Sequence, residues 1–134
     1  MAFRMSTAIY HLGLACLFTH ELDAVTHSEW RLLPVLGGLS DGVAESTFVA
    51  LHVPLFFLVL VLSHHPKSRV RTITRAAVAG FLVLHAVLHF ALSSASGYEF
   101  HGALSRTLIV AAGGLGIAYL LLQRRGSSTA GHAA

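Results

Sequence analysis

The chain has 134 residues, of which 54% are hydrophobic and only 11% charged. A soluble domain carries about 25% charged residues to solvate its surface, so a water-soluble globular fold is excluded and most of the outer surface must meet lipid. The formal charge is +3, but the basic residues sit at the ends of apolar runs, where membrane proteins place them, and no nucleic-acid partner is expected. The lone cysteine, Cys16, excludes an internal disulfide and any cysteine-built zinc or iron–sulfur site.

A bilayer-spanning helix needs about 20 mostly apolar residues, and four segments qualify. The first runs from about Ser6 to His27, apolar early and polar late. Arg4 followed by an apolar run, with Ala15-Cys16 behind it, has the look of a cleavable leader. Gly13, however, stands where a lipoprotein site has leucine, so a retained helix is expected. Gly37-Gly38 and Asp41-Gly42 punctuate the first connection. The second span runs from about Val43 to Leu62, the third from about Ile73 to Leu92, and the fourth from about Ala103 to Leu122. Short connections predict an all-α, up-down four-helix membrane bundle with sequence neighbours packed antiparallel. Residues 1–125 form its single domain, and 126–134, rich in Gly, Ser and Ala, form a disordered tail.

The basic residues orient the bundle. Of the nine Lys and Arg, Arg4, Lys67, Arg69, Arg71, Arg75, Arg124 and Arg125 fall on one side, and only Arg31 and Arg106 on the other. Positive residues stay cytoplasmic, which puts both termini and the second connection inside. Trp30 and Tyr98 are then expected near the outer interface, and Tyr10 and Tyr119 near the inner one.

The chemistry concentrates around the segment from His20 to Trp30. Ionisable residues within spans are costly, face the bundle interior and mark function. At about 100° per residue, His20, Asp23 and His27 share one helix face, Glu21 points away from His20, and Glu29 falls on the opposite side toward the interface. In the third span His85 and His89 form an i, i+4 pair able to chelate one ion. His52 lies two residues before Pro54, which bends the second span, and Glu45 lies nearer its outer end. His101 precedes the fourth span. With the orientation above, all these groups fall in the outer half, whereas His11, His64 and His65 do not.

Imidazoles mixed with carboxylates suit zinc, iron or manganese better than copper(I), with zinc favoured over iron. The expected ligands are His20, His85 and His89, with Asp23 or His27 added. Glu21 or Asp23 would serve in proton transfer, and His52, Glu45 and His101 are further candidates. The zincin pattern is absent, because Ala24 stands where its second histidine would be. His52 or His101 alone reads more simply as a helix–helix hydrogen-bond donor. For the whole constellation a metal or haem is expected ahead of a purely hydrogen-bonded network, given the cost of keeping ionisable groups in a membrane. Arg106 reads as a snorkelling side chain. Ala112 and Gly116, with Gly113 and Gly114, read as a close-packing stripe.

The sequences His20-Glu-Leu-Asp-Ala24 and Glu29-Trp30, then Leu51-His52-Val53-Pro54-Leu55, then His85 and His89, resemble a group of small bacterial membrane proteins of unknown function. The likeness runs from Phe18 to Leu120 and implies the inner membrane of a bacterium. A looser likeness links the chain to membrane proteins with a His-x-x-Glu-Glu motif, where Asp23-Ala24 replaces the paired glutamates. Seven-helix ceramidase-like hydrolases offer only an analogy in their use of His-x-x-x-His for zinc, since four spans are too few for that fold. Three functions follow as expectations. The first is a metal-dependent hydrolase acting on a lipid or amphiphile. The second is a bis-histidine haem electron carrier using His20 with His85 or His89. The third is a non-catalytic membrane subunit.

Overall fold

The computed structural model describes residues 2–130, with side chains from 5 to 125. Four helices account for most of it: α1 (Ala2–Thr26), α2 (Asp41–Ser63), α3 (Ser68–Leu92) and α4 (Ala103–Ala130). Two short 3-10 turns, Glu29–Leu32 and Leu36–Gly38, fold the connection between α1 and α2. Three helices, α2, α3 and α4 as far as Arg125, are long and apolar enough to cross a membrane. α1 matches them in length but carries His20, Glu21 and Asp23 in its last two turns. α3 starts five residues before the expected Ile73. Its early arginines belong to the helix because they have work at its start: Arg75 Nε donates to Ser63 O at 2.9 Å and Arg71 donates to His65 O at 2.9 Å. They neutralise the carbonyls left over where α2 ends. The tail expected after Arg125 begins inside α4, and residues 131–134 lie outside the described residues.

The helices alternate up and down. Tyr10, early in α1, meets Ser63 at the end of α2 and Tyr119 late in α4, whereas His20, late in α1, meets His85 and His89 late in α3. We call the end with the α1–α2 and α3–α4 connections the upper end. The core has a lower cluster built on Tyr10, Leu14, Leu82 and Tyr119, and an upper one built on Trp30, Phe48, Phe100 and Ile109. Trp30 is only 4% exposed, so it fills the core and does not sit in an interfacial belt. Tyr10 and Tyr119 are equally buried, at 2% each.

Packing within the up-down bundle is uneven. α4 is the central helix and lies tightly against α1 and α3, while the α2 backbone lies nearest α3 and meets α1 through side chains such as Phe56 on Phe18. Side-chain size explains this. A Cβ on Gly13 would come within 3.0 Å of Leu82, one on Gly113 within 2.7 Å of Ala86 Cβ, and one on Gly116 within 2.6 Å of Ala79 O. Small residues therefore let α1, α3 and α4 approach closely. The inner face of α2 carries Phe48, Leu51, Leu55 and Phe56 instead. Gly114 is no part of the contact, since its added Cβ would meet nothing within 4 Å. Gly116→Ala should accordingly lose about 1–3 kcal/mol of stability from overpacking against backbone. Gly114→Ala should be neutral or gain up to about 1 kcal/mol from helix propensity. Thermal unfolding of the two variants in detergent checks the contrast.

Candidate metal centre

α1 ends at Thr26, and the turn that follows builds the site. Ser28 adopts a left-handed conformation, φ 52 and ψ 42, which breaks the helical phase and starts the 3-10 turn at Glu29. Pro34 disfavours any helical continuation through residue 33. The chain therefore folds back over the upper end, and Glu29 does not project to the interface as a continuous helix would require. Instead its carboxylate faces His20 and His89: Oε2 lies 3.6 Å from His20 Nε2 and Oε1 lies 3.6 Å from His89 Nε2.

α3 supplies the opposite wall. The i, i+4 spacing puts His85 and His89 on one face, their ring centroids 4.5 Å apart, and His20 meets both edge-on at 4.9 and 4.8 Å. His20 Nε2 and His89 Nε2 are 3.2 Å apart. His20, Glu29, His85 and His89 each offer one ligand atom, all within 4.8 Å of one another. Four ligands at about 2.0–2.2 Å from one tetrahedral ion would lie a little over 3 Å apart, so small side-chain rotations close the set. The three imidazoles are buried, at 1%, 8% and 5% exposure for His20, His85 and His89.

This group of buried residues is short of protein partners. Among the described residues, His20 Nδ1, Asp23 Oδ2, Glu29 Oε2, Trp30 Nε1 and His85 Nε2 are buried without a hydrogen bond. Buried polar atoms are almost always paired, and three of these five belong to the ligand set itself. An ion taking the ring nitrogens and the Glu29 carboxylate would satisfy His85 Nε2 and Glu29 Oε2 at once. The electrostatics agree in sign. Burial pushes Glu29 up, but His89, His85 and His20 outweigh it and hold the carboxyl below its usual range, which keeps it an anionic ligand.

The other expected residues fall around the centre. Asp23 Oδ2 is 4.0 Å from His20 Nδ1, on the side of the ring away from Glu29. His27 turns back on α1: its Nδ1 donates to Asp23 O at 2.8 Å and lies 3.3 Å from Asp23 Oδ1. Glu21 and His52 form a pair beside the centre, with Oε2 and Nε2 3.0 Å apart. His52 Nδ1 is 2.7 Å from Phe48 O. A carbonyl only accepts, so Nδ1 carries a proton, and the contact to Glu21 must hold one further proton shared between carboxylate and imidazole. His101 is exposed and stacks its edge on Tyr98 at 5.2 Å, outside the ligand set. Glu45 is exposed at the top of α2. His11 and His64 stack on each other at the lower end, their Nε2 atoms 3.2 Å apart.

Fold and site together define a class: a small helical protein of the membrane type with a buried His/Glu group able to hold a metal ion. The chain belongs to a family of unknown function, DUF6713, whose profile matches residues 6–126. That match contains the whole stretch from Phe18 to Leu120 on which the resemblance rested. No curated protein and no solved structure matches the chain.

Proposed function

We propose that the protein is a metal-dependent hydrolase of the bacterial inner membrane, with four spans and both termini cytoplasmic, acting on a lipid or another amphiphile that enters from the outer leaflet. The observation that carries this reading is the convergence of His20, Glu29, His85 and His89 from three separate segments, with their ligand atoms within 4.8 Å of one another. A zinc or similar divalent ion held there with a further position left open for water or substrate would polarise an ester or phosphoryl oxygen and make water a better nucleophile.

The chain's own groups cover the remaining needs. Glu21 lines the same cleft as Glu29, His85 and His89; with the shared proton on His52 it is a carboxylate, which takes a proton from attacking water and returns it to the leaving group. His52, anchored to Phe48 O, holds that carboxylate in place. Asp23 stands 4.0 Å behind His20 Nδ1, where a small rotation would let its carboxylate accept from that nitrogen and orient Nε2 toward the ion. The geometry favours an ion over haem. Haem would need two imidazoles on opposite faces of a macrocycle, but His20 and His89 have their Nε2 atoms 3.2 Å apart, and Phe100 packs against both rings.

Two results test this reading. Reporter fusions at Gly38 and Tyr98 should read outside, and fusions at Lys67 and after Arg125 should read inside. A cytoplasmic signal at Gly38 would overturn the orientation. Purified protein should hydrolyse an amphiphilic ester or phosphoester, lose that activity to a strong chelator and regain it with zinc. Hydrolysis that a chelator leaves untouched, in protein shown to be metal-free, would sink the metal-dependent mechanism.

A further inference from the structure

A cleft of about 570 Å³ lies between α2 and α3, with Leu17, Phe18 and Glu21 of α1 at its floor. Its body is apolar, walled by Leu17, Phe18, Leu55, Phe56, Val59 and Val78. Its polar residues are Glu21, Glu29, His52, His85 and His89, all toward the upper end. His85 is 8% exposed, and its Nε2 has no partner. An apolar channel with one reactive end is the shape of an amphiphile. From Phe48 down to Val59 the α2 wall is about 16 Å long at the helical rise.

We propose that this cleft is a slot for the alkyl part of an amphiphile, which enters sideways between α2 and α3, past the exposed Leu51, Leu55, Phe81 and Leu88, and lies head-up, with its polar head at the His20, Glu29, His85 and His89 group. The head assignment rests on the proposed metal centre. The chain assignment rests only on the cleft's shape and lining. The lower end is bounded by Val59, Ala77 and Val78, and their depth sets the longest chain accommodated.

Trp30 reports on the slot, because it is the single tryptophan and its ring lies 6.0 Å from that of Phe48 at the cleft's upper end. The protein is reconstituted in vesicles of unbrominated lipid and titrated with lysophosphatidylcholines brominated either near the head or near the chain end. Head-proximal bromine should quench Trp30 saturably, and several-fold more than terminal bromine. Ala77→Phe, at the lower end, should weaken binding of long chains at least tenfold while leaving short chains and metal content unchanged. Non-saturable quenching, equal quenching by both bromine positions, or an unaltered chain-length dependence in Ala77→Phe would overturn the slot. Metal content measured in the same samples separates the two ideas: saturable head-up binding without metal defeats the metal centre alone, and metal without saturable binding defeats the slot alone.

Discussion

Replacing His20, His85 or His89 with alanine is expected to strip most of the bound metal from the protein, taking it from about one equivalent per chain toward none. The reason is the small number of ligands. His20, Glu29, His85 and His89 are the four whose atoms converge, so losing one imidazole leaves the bare three that zinc usually needs, in a set whose rings hold one another in place. Each substitution also leaves its neighbours buried beside a void, so general unfolding has to be separated from local loss. His11→Ala and His64→Ala serve that purpose: both residues lie at the lower end, pack on each other, and should leave metal content unchanged. Glu29→Gln should weaken metal binding strongly, since it removes the one anionic ligand in the set. Asp23→Asn should fall between, at about 10–100-fold weaker binding, as expected for a group that orients a ligand. Elemental analysis of detergent-purified variants reads all seven. Full occupancy in a His85→Ala/His89→Ala double variant would remove the site as drawn.

The second large effect is expected at Glu21. Glu21→Gln should cost about 10²–10⁴-fold in kcat, the usual contribution of a positioned general base, with metal content and KM little changed. Glutamine keeps the volume and one acceptor oxygen beside His52 but cannot take up a proton. His52→Gln should cost less, because it disturbs the position of Glu21 without removing the base. Turnover of an amphiphilic ester by metal-loaded variants measures both. A Glu21→Gln enzyme with unaltered kcat would exclude Glu21 from proton transfer.

The bundle was legible in the sequence because membrane spans are written in long apolar runs and terminal charges. The edges of α2 and α3 follow from these within a few residues, save where Arg69 and Arg71 precede the expected span and instead lie in the first turn of α3. Helix order around the bundle was not legible. Hydropathy says that α2 is apolar but not that its bulky inner face holds its backbone off α1, and the deciding contacts, such as Gly116 on Ala79 O, involve residues with almost no side chain.

The candidate site shows the same division. His85 and His89 are tied by i, i+4 spacing, and His20 shares their depth, so local periodicity and span length together predict where the three rings meet. Glu29 was missed because the helical phase of α1 was carried past its end. Two signals in the sequence mark that end. A span starting near Ser6 has used its roughly 20 residues by Thr26, and Thr26-His27-Ser28 before Pro34 is a poor helical continuation. Trp30 was placed at the outer interface because aromatic belts favour such positions, but the turn folds it into the core. The Glu21–His52 pair depends on how α2 leans over α1, which no local pattern encodes.

The central claim is that His20, Glu29, His85 and His89 bind one ion. X-ray absorption spectroscopy on protein purified in mild detergent without chelator, with zinc and iron quantified in the same sample, tests it most directly. The predicted result is about one equivalent of metal, coordinated by about three imidazole nitrogens and one carboxylate oxygen at about 2.0–2.2 Å. A folded, homogeneous protein that contains no metal and takes up none when zinc is offered would contradict it.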